Sequence, residues 1–297
     1  MPEPSPIRTI AILGAGTMGR GIAQSAAMAG ITVRLYDVSP NVLREGLTNA
    51  LAGITRFEQK GKLTRDLAEN AREHLSGVPE LEKALDRVDL CIEAIPESPE
   101  LKKALYRSVE PLLRPEAILA TNTSAISIGK LAEPLARPGR FLGLHFFNPV
   151  PLMRLLEIVV GAATEPEAIA SAQALAAKLG KEAILVKDTP GFASSRLGVA
   201  IGLEAIRMLE EGVASAADID TAMELGYAHP MGPLKLTDLV GLDVRLAIAN
   251  ELEKELGPRF APPELLKQKV EAGELGKKTG KGFHVWPSGS GSFPIKP

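Results

Sequence analysis

The fold of this chain is decided by residues 8–19, which read Arg-Thr-Ile-Ala-Ile-Leu-Gly-Ala-Gly-Thr-Met-Gly. An apolar run, a glycine-rich turn and an alanine-rich stretch follow one another from here to Met28, which predicts a strand, a tight turn and a helix. The glycines fit the pattern G-x-G-x-x-G: the first permits the turn, the second lets the backbone approach a pyrophosphate, and the third lets helix and strand pack closely. The candidate cofactor-binding residues in this turn are Gly14, Gly16, Thr17, Met18 and Gly19.

A second strand should follow this helix at residues 31–36, and Asp37 comes directly after it. An acid at this place in a dinucleotide-binding unit holds the 2'-hydroxyl of the NAD ribose and repels the 2'-phosphate of NADP. The sequence therefore predicts that the cofactor is NAD. The competing interpretation is a plain strand–turn–helix in which Asp37 only caps a helix.

Strands and helices alternate along the first two thirds of the chain, which predicts a mostly parallel, doubly wound α/β sheet of the Rossmann type. The predicted strands are residues 8–13, 31–36, 88–93, 117–121, 141–146, 155–160 and 183–186. After the segment Thr189-Pro-Gly191 the pattern changes to amphipathic helical stretches. We therefore expect a nucleotide-binding domain at 1–188 with a helical insertion near 41–75, an all-helical domain at 189–287 and a flexible tail at 288–297.

Composition excludes several classes of protein. The formal net charge is -2, so no general positive field would attract nucleic acid or an anionic membrane. The single cysteine, Cys91, cannot form a disulfide within the chain, and neither a signal-peptide pattern nor a bilayer-length apolar run is present. Histidines and the cysteine lack metal-ligand spacing. The expectation is a cytoplasmic protein with no metal site.

The chemistry-bearing pair is His145 and Glu157, which lie in apolar runs on either side of the break Asn148-Pro-Val-Pro151. Two strands joined by such a turn can bring the two side chains within hydrogen-bonding distance. A carboxylate bonded to one ring nitrogen leaves the other nitrogen as a general base. The competing interpretation is a histidine with a purely structural role.

Short polar residues follow another predicted strand, in the segment Ala120-Thr-Asn-Thr-Ser-Ala125. Asn122 and Ser124 could donate hydrogen bonds to a substrate oxygen or to a cofactor ribose. For Thr121 and Thr123 we favour capping of the next helix.

Taken together, these residues resemble the 3-hydroxyacyl-CoA dehydrogenase family over almost the whole chain. The matching segments are Ile12-Leu-Gly-Ala-Gly-Thr-Met-Gly19, Glu93-Ala-Ile-Pro-Glu97, Ala120-Thr-Asn-Thr-Ser124, Gly143-Leu-His-Phe-Phe-Asn-Pro-Val-Pro151, Lys187-Asp-Thr-Pro-Gly-Phe192 and Gly276-Lys-Lys-Thr-Gly-Lys-Gly-Phe283. The resemblance implies NAD-dependent oxidation of a (3S)-3-hydroxyacyl-CoA, with a second domain that binds substrate and forms a homodimer.

The resemblance also implies roles for individual residues. His145 would be the base, Glu157 its orienting partner and Ser124 a donor to the substrate oxygen. Glu97 and Lys102 would contact the cofactor, with Asn122 nearby.

One position departs from the family pattern. Ser195 stands where the family usually has an asparagine that holds the substrate, and a serine has a shorter arm with one donor. The acyl-CoA phosphates would need a local positive cluster, for which Lys60, Lys62 and Arg65 are the candidates. A solvated charged loop is the competing interpretation of that cluster.

Two other functions remain open at this point. The first is an NAD-dependent dehydrogenase of a free hydroxy acid, like the gulonate or carnitine relatives, which Ser195 favours and the lysine-bearing helical insertion opposes. The second is a non-enzymatic NADH-binding or crystallin-like protein. The presence of Ser124, His145 and Glu157 opposes this second alternative.

Overall fold

The computed structural model of the chain describes residues 6–287. The described residues divide into two compact units, one before and one after the boundary between Thr189 and Pro190. The strands of the first unit are β1 (Thr9–Leu13), β2 (Thr32–Tyr36), β3 (Leu75–Gly77), β4 (Leu90–Glu93), β5 (Ile118–Thr121), β6 (Phe141–Phe146), β7 (Leu155–Val160) and β8 (Glu182–Lys187). Its helices are α1 (Thr17–Met28), α2 (Pro40–Gln59), α3 (Arg65–Glu73), α4 (Leu81–Leu85), α5 (Pro99–Val109), α6 (Ile128–Ala132) and α7 (Pro166–Lys178).

The strands form one eight-stranded sheet in the order β3-β2-β1-β4-β5-β6-β7-β8. Every neighbouring pair is parallel except β6 and β7, which are antiparallel. From β1 the sheet first grows on one side, through β2 and β3. The chain then crosses to the other side of β1 and adds β4, so the strand order reverses between β1 and β4. In open α/β sheets, ligands bind outside the carboxyl ends of the strands at such a reversal.

The hydrophobic core of the first unit explains why these strands form. The inner strands β4, β5 and β6 are buried throughout, as expected for strands covered by helices on both faces. Ile10, Ile12, Val33 and Leu35 are fully buried, and each such side chain contributes roughly 1.5–3 kcal/mol of transfer free energy. The predicted doubly wound sheet is confirmed.

The sequence analysis missed the edge strand β3, which pairs in parallel with β2. A run of three residues, Leu-Ser-Gly, is too short to give a periodic pattern of its own. Because α2 and α3 lie between β2 and β3 in the chain, this helical pair is the crossover between two neighbouring strands.

The second unit contains α8 (Ser194–Glu210), α9 (Ala216–Gly226), α10 (Pro233–Val240), α11 (Leu242–Leu256) and α12 (Glu264–Glu271). The sequence analysis did not identify α10, because the Gly/Pro-rich segment at its beginning hides the eight-residue helix. The helices share a core around Leu203, Leu234 and Leu252. The predicted tail at 288–297 lies outside the described residues.

A buried aspartate secures the last described segment of the second unit. Asp238, which is 1% exposed, accepts hydrogen bonds from the backbone amides of Phe283 and His284 and from Nε1 of Trp286. Gly276 has a φ of +90°, and a Cβ at this position would overlap the carbonyl oxygen of Asp238. The glycines of this segment are thus required by close packing against α10.

None of the helices within residues 6–287 has both the length and the apolar character needed to cross a membrane.

Candidate active site

His145 and Glu157 lie directly opposite each other in the antiparallel pair β6–β7. His145 Nδ1 and Glu157 Oε2 are 2.7 Å apart, which is a short hydrogen bond between an imidazole and a carboxylate. Glu157 is fully buried and His145 is 5% exposed, so the pair is largely removed from water. The ring of Phe147 lies 4.4 Å from the imidazole, centroid to centroid. The expectation that the turn at 148–151 brings these two side chains together is confirmed.

The glycine turn has the geometry that a pyrophosphate requires. Gly14 has a φ of +103°, and a Cβ there would lie 2.6 Å from the carbonyl oxygen of Ala94. A Cβ on Gly19 would overlap the Gly14 carbonyl oxygen, whereas one on Gly16 would meet no atom within 4 Å. The first and third glycines are therefore demanded by packing, and the second leaves open space.

The beginning of α1 offers unsatisfied amides to an anion at this open position. Gly16 is the N-cap of α1, so the helix start has no side-chain cap, and its first turn contains no acidic residue. Thr17 and Met18 are the first two residues of the helix. The positive end of the helix dipole and its amides favour a bound phosphate here, and the residues present fit the pyrophosphate of a dinucleotide.

Asp37 lies immediately after β2 and faces the same turn. Its Oδ2 accepts a hydrogen bond of 2.9 Å from the Ala15 amide, and its Oδ1 accepts one of 2.9 Å from the Ser39 amide. Each carboxylate oxygen can accept a second hydrogen bond. Asp37 is thus held at the edge of the turn, where a ribose hydroxyl could reach it.

A buried polar network that the sequence analysis did not find surrounds Glu93, at the end of β4. Its Oε1 accepts hydrogen bonds from Lys102 Nζ at 2.7 Å and from the Ile95 amide at 2.8 Å. Its Oε2 accepts from the Tyr106 hydroxyl at 2.6 Å and from the Thr121 hydroxyl at 2.8 Å. Burial and the adjacent carboxylate raise the pKa of Tyr106, so that the phenol keeps its proton and acts as the donor.

This network continues to the surface through Glu97. Lys102 is 1% exposed, and its Nζ lies 3.1 Å from Glu97 Oε2. Glu97 Oε1 in turn accepts hydrogen bonds from the Thr123 hydroxyl at 2.5 Å and from the Ser124 amide at 2.8 Å. The charged groups therefore position the backbone of the loop that carries Ser124.

The remaining polar residues at the end of β5 have partners within the protein. Asn122 Oδ1 accepts a hydrogen bond of 3.0 Å from the Phe146 amide and so joins this loop to the strand of His145. The expectation that Thr121 or Thr123 caps the next helix is wrong. The N-cap of α6 is instead Ser127, which directly precedes the helix. Its hydroxyl accepts a hydrogen bond from the Lys130 amide.

The predicted positive cluster, Lys60, Lys62 and Arg65, lies in a later segment of the chain than the glycine turn. Lys60 and Lys62 are exposed in the connection between α2 and α3, and Arg65 is paired with Glu69 at 2.8 Å. Two arginines that the sequence analysis did not single out, Arg20 and Arg56, line a cavity of about 180 Å³. This cavity also contacts the start of α1 and the turn at 148–151.

Ser195 is the second residue of α8, in the second unit. Within the described residues, no group of three histidine, cysteine, aspartate or glutamate side chains could hold a metal ion.

Comparison with known proteins agrees with this architecture. Residues 9–189 match the family described as "3-hydroxyacyl-CoA dehydrogenase, NAD binding domain", and residues 191–286 match "3-hydroxyacyl-CoA dehydrogenase, C-terminal domain". A Bacillus subtilis protein described as a probable 3-hydroxybutyryl-CoA dehydrogenase is 43% identical over 94% of this chain and 97% of its own. A 3-hydroxyadipyl-CoA dehydrogenase of Escherichia coli is 40% identical over 94% of this chain and 59% of its own.

The crystal structure of (S)-3-hydroxybutyryl-CoA dehydrogenase PaaH1 from Ralstonia eutropha has the same fold, with a TM-score of 0.91. It is 40% identical, and the match covers 95% of this chain and 100% of that one. Two family matches that together span most of the chain, and relatives at this level of identity, leave one assignment. The chain belongs to the 3-hydroxyacyl-CoA dehydrogenase family and begins with its NAD-binding domain.

Proposed function

We propose that this protein catalyses the reversible, NAD-dependent oxidation of (3S)-3-hydroxyacyl-CoA to 3-oxoacyl-CoA. The observation that carries this proposal is the buried hydrogen bond of 2.7 Å between His145 and Glu157. It lies at the carboxyl end of β6, in the same sheet as the glycine turn that follows β1.

The histidine–carboxylate pair supplies the proton transfer. With Nδ1 of His145 donating its proton to Glu157, the neutral imidazole has its lone pair on Nε2. In this proposal Nε2 removes the proton of the substrate 3-hydroxyl, and Glu157 stabilises the imidazolium that forms. The hydroxyl of Ser124 donates a hydrogen bond to the same substrate oxygen. In the reverse direction the protonated imidazole returns the proton.

Bound NAD supplies the acceptor for the hydride that leaves C3 of the substrate. The amides at the start of α1 would hold its pyrophosphate, and Asp37 would hold the ribose hydroxyls and disfavour NADP. Glu97 would contact the cofactor, with Asn122 nearby. Lys102 acts mainly by holding Glu97, because its ammonium group is buried between two carboxylates.

The phosphates of coenzyme A meet the positive side chains at the C-terminal end of α2. Arg56 and Lys60 are four residues apart, and side chains at that spacing lie on the same helix face. Lys62 and Arg65 follow in the connection to α3. Because all of them are exposed, their contribution is screened by salt.

The second unit forms a homodimer in this proposal. Large apolar side chains are unusually exposed on it: Leu197 is 64% exposed and Ile201 40%, both on α8, and Leu225 is 81% exposed. Leu197 and Ile201 lie one turn apart on one face of α8, which is the pattern of a helix that packs against a partner.

The family membership does not decide the acyl group. The name of the Bacillus subtilis relative indicates a chain that ends in a methyl group, and the name of the Escherichia coli relative one that ends in a carboxylate. Both are compatible with this site, because the reaction takes place at C3.

The test is to follow NADH absorbance with acetoacetyl-CoA and with free acetoacetate, each at low and high ionic strength. We expect rapid NADH oxidation with the thioester alone, and a KM for the thioester that rises with salt. Oxidation with free acetoacetate would instead support the free hydroxy-acid alternative that Ser195 favours. NADH binding without turnover of any 3-oxo substrate would support a non-enzymatic protein and overturn the proposal.

A further inference from the structure

A lysine lies buried between two carboxylates at the carboxyl end of β4, in the first unit. Lys102, on α5, is 1% exposed, and its Nζ lies 2.7 Å from Glu93 Oε1 and 3.1 Å from Glu97 Oε2. Taking an ammonium and a carboxylate out of water costs several kcal/mol for each ion, and apolar side chains in their place are often no less stable. Stability alone therefore does not explain these three charges.

The Glu93 carboxylate is a fixed anchor for this lysine. Besides the bond from Lys102, it accepts hydrogen bonds from the hydroxyls of Tyr106 and Thr121 at 2.6 and 2.8 Å and from the Ile95 amide at 2.8 Å. A carboxylate has about four positions that can accept hydrogen bonds, so these four donors fill them. No position is left for a ligand, and the carboxylate serves to hold the lysine.

The other carboxylate contacts the loop of residues 122–124. Glu97 Oε1 accepts hydrogen bonds from the Thr123 hydroxyl at 2.5 Å and from the Ser124 amide at 2.8 Å. The Glu97 side chain is 42% exposed, and an exposed glutamate without a partner has many rotamers. The ion pair with Lys102 selects the rotamer in which Oε1 meets the Ser124 amide.

The beginning of the same loop is fixed to the strand of the imidazole. Asn122 Oδ1 accepts a hydrogen bond of 3.0 Å from the amide of Phe146, the residue after His145. The Asn122 amide donates one of 2.8 Å to the carbonyl oxygen of Glu93. The glutamate at the end of β4 thus holds the beginning of the loop through its backbone and the end of the loop through the lysine.

We propose that Lys102 is a positioning residue for Ser124. Anchored on Glu93, it holds Glu97 against the Ser124 amide and so places the Ser124 hydroxyl for the 3-oxygen of the substrate. This inference rests on the proposed function. The family resemblance implies instead that Lys102 contacts the cofactor. A cofactor contact would act on the KM for NADH, whereas a positioning residue acts on kcat at saturating NADH.

The experiment is a double-mutant cycle with acetoacetyl-CoA at saturating NADH. Ser124→Ala removes a donor to the substrate oxygen and should lower kcat about 10²-fold. Lys102→Met displaces that donor and should lower kcat by about 10- to 10²-fold. The double variant should be no slower than Ser124→Ala alone, because the lysine acts through the serine.

A second variant separates positioning from stability. Lys102→Met leaves the buried Glu93 carboxylate without a counter-charge, which should lower the Tm. Adding Glu93→Gln removes that charge while the amide oxygen still accepts hydrogen bonds. We expect the Tm to recover in the combined variant and kcat to stay low, since Glu97 still lacks the ammonium group that fixes its rotamer.

The partly exposed Glu97 provides a further test that does not disturb the core. Glu97→Gln keeps an oxygen that can accept the Ser124 amide, so it should retain a higher kcat at saturating NADH than Glu97→Ala. Lys103→Met is the matched control for the lysine: Lys103 lies next to Lys102 on α5 and donates to a glutamate, Glu133, at 2.6 Å. This variant should keep the kcat of the full chain.

Four results would overturn the inference and leave the proposed function intact. If Lys102→Met raises the KM for NADH without changing kcat, the lysine is a cofactor contact. If the losses in the double variant are additive, it does not act through Ser124. If Glu93→Gln restores kcat together with the Tm, the buried charges only support the fold. Equal kcat values in Glu97→Gln and Glu97→Ala would show that the contact with the Ser124 amide has no role in turnover.

Two other results would contradict the proposed function itself. One is failure of the full chain to oxidise NADH with acetoacetyl-CoA. The other is an unaltered kcat in Ser124→Ala, which would remove this serine from the reaction.

Discussion

The imidazole of His145 and the carboxylate of Glu157 form a pair whose strength depends on burial. Between the strands β6 and β7 both groups are shielded from water, and the bond of 2.7 Å is not weakened by competing solvent. The pair has two tasks in the proposed reaction: it selects the tautomer of the ring and stabilises its charged form. Replacement of either residue should therefore affect kcat more than KM.

The prediction at this scale concerns Glu157→Gln and His145→Ala. The amide of glutamine cannot stabilise the imidazolium and can hold the wrong tautomer, so kcat should fall by about 10²-fold or more. His145→Ala removes the base and should lower kcat by about 10²- to 10⁴-fold. Steady-state kinetics with acetoacetyl-CoA measure both effects.

Glu182→Gln, at the exposed start of β8, is the control for the glutamate replacement and should retain full turnover. The double variant at 145 and 157 should be no slower than His145→Ala alone, because Glu157 acts through the ring. Additive losses would show that Glu157 has a separate role, and near-normal turnover of His145→Ala would refute the assignment of the base.

At the scale of elements, the turn between β6 and β7 is held by a lysine from the α7–β8 connection. Lys181 Nζ donates hydrogen bonds of 2.7 Å to the carbonyl oxygens of Val150 and Met153, and it lies 5.8 Å from the ring centre of Phe146. Lys181 therefore fixes the chain reversal that sets the register of His145 against Glu157.

A pH dependence of stability follows from the burial of Lys181, which lowers its pKa to about 8. In the unfolded chain a lysine keeps its proton up to about pH 10.4. Between these two values the unfolded state binds more protons, so the free energy of unfolding should rise with pH relative to Lys181→Met. Below pH 8 both states are protonated and the difference should be constant.

Urea unfolding of the full chain and of Lys181→Met at a series of pH values from 7 to 10 tests this prediction. Lys178→Met provides the control, since Lys178 is exposed at the end of α7. A difference between the full chain and Lys181→Met that stays flat across this range would mean that the two carbonyl oxygens keep Lys181 charged despite its burial.

At the scale of the whole molecule, the proposed dimer depends on the exposed apolar face of α8. Glutamate at both Leu197 and Ile201 would place two carboxylates in that contact, where desolvation disfavours them. We expect light scattering after gel filtration to change from twice the chain mass to the chain mass. Leu67→Glu on α3, where the leucine is 52% exposed in the first unit, should leave the mass unchanged. A double variant that remains dimeric would place the interface elsewhere.

Much of the fold could be predicted because its signals are local. The run at residues 8–19 contains both the periodicity of a strand and the glycines of a turn, and the breaks at 148–151 and 189–191 mark a chain reversal and a change of pattern. The strand β3 and the helix α10 escaped prediction, since one is three residues long and the other begins in a Gly/Pro-rich segment. Their pairing and packing with other elements stabilise them.

The sequence by itself determined the class of fold and the cofactor, and it identified the histidine and the glutamate to which the proposed reaction assigns proton transfer. Each of these depends on residue types at short, readable spacing: the glycine pattern, the acid after the second strand, and a histidine and a glutamate on either side of one turn.

Only the tertiary structure decided which polar groups are buried together. Glu93 meets Tyr106 and Thr121, and Arg245 lies against Gly198, across long stretches of chain. The interaction energy of a buried charge depends on the partners that other helices and strands supply and on the exclusion of water. Both arise when the sheet and the helices pack, and no local pattern of residues records them.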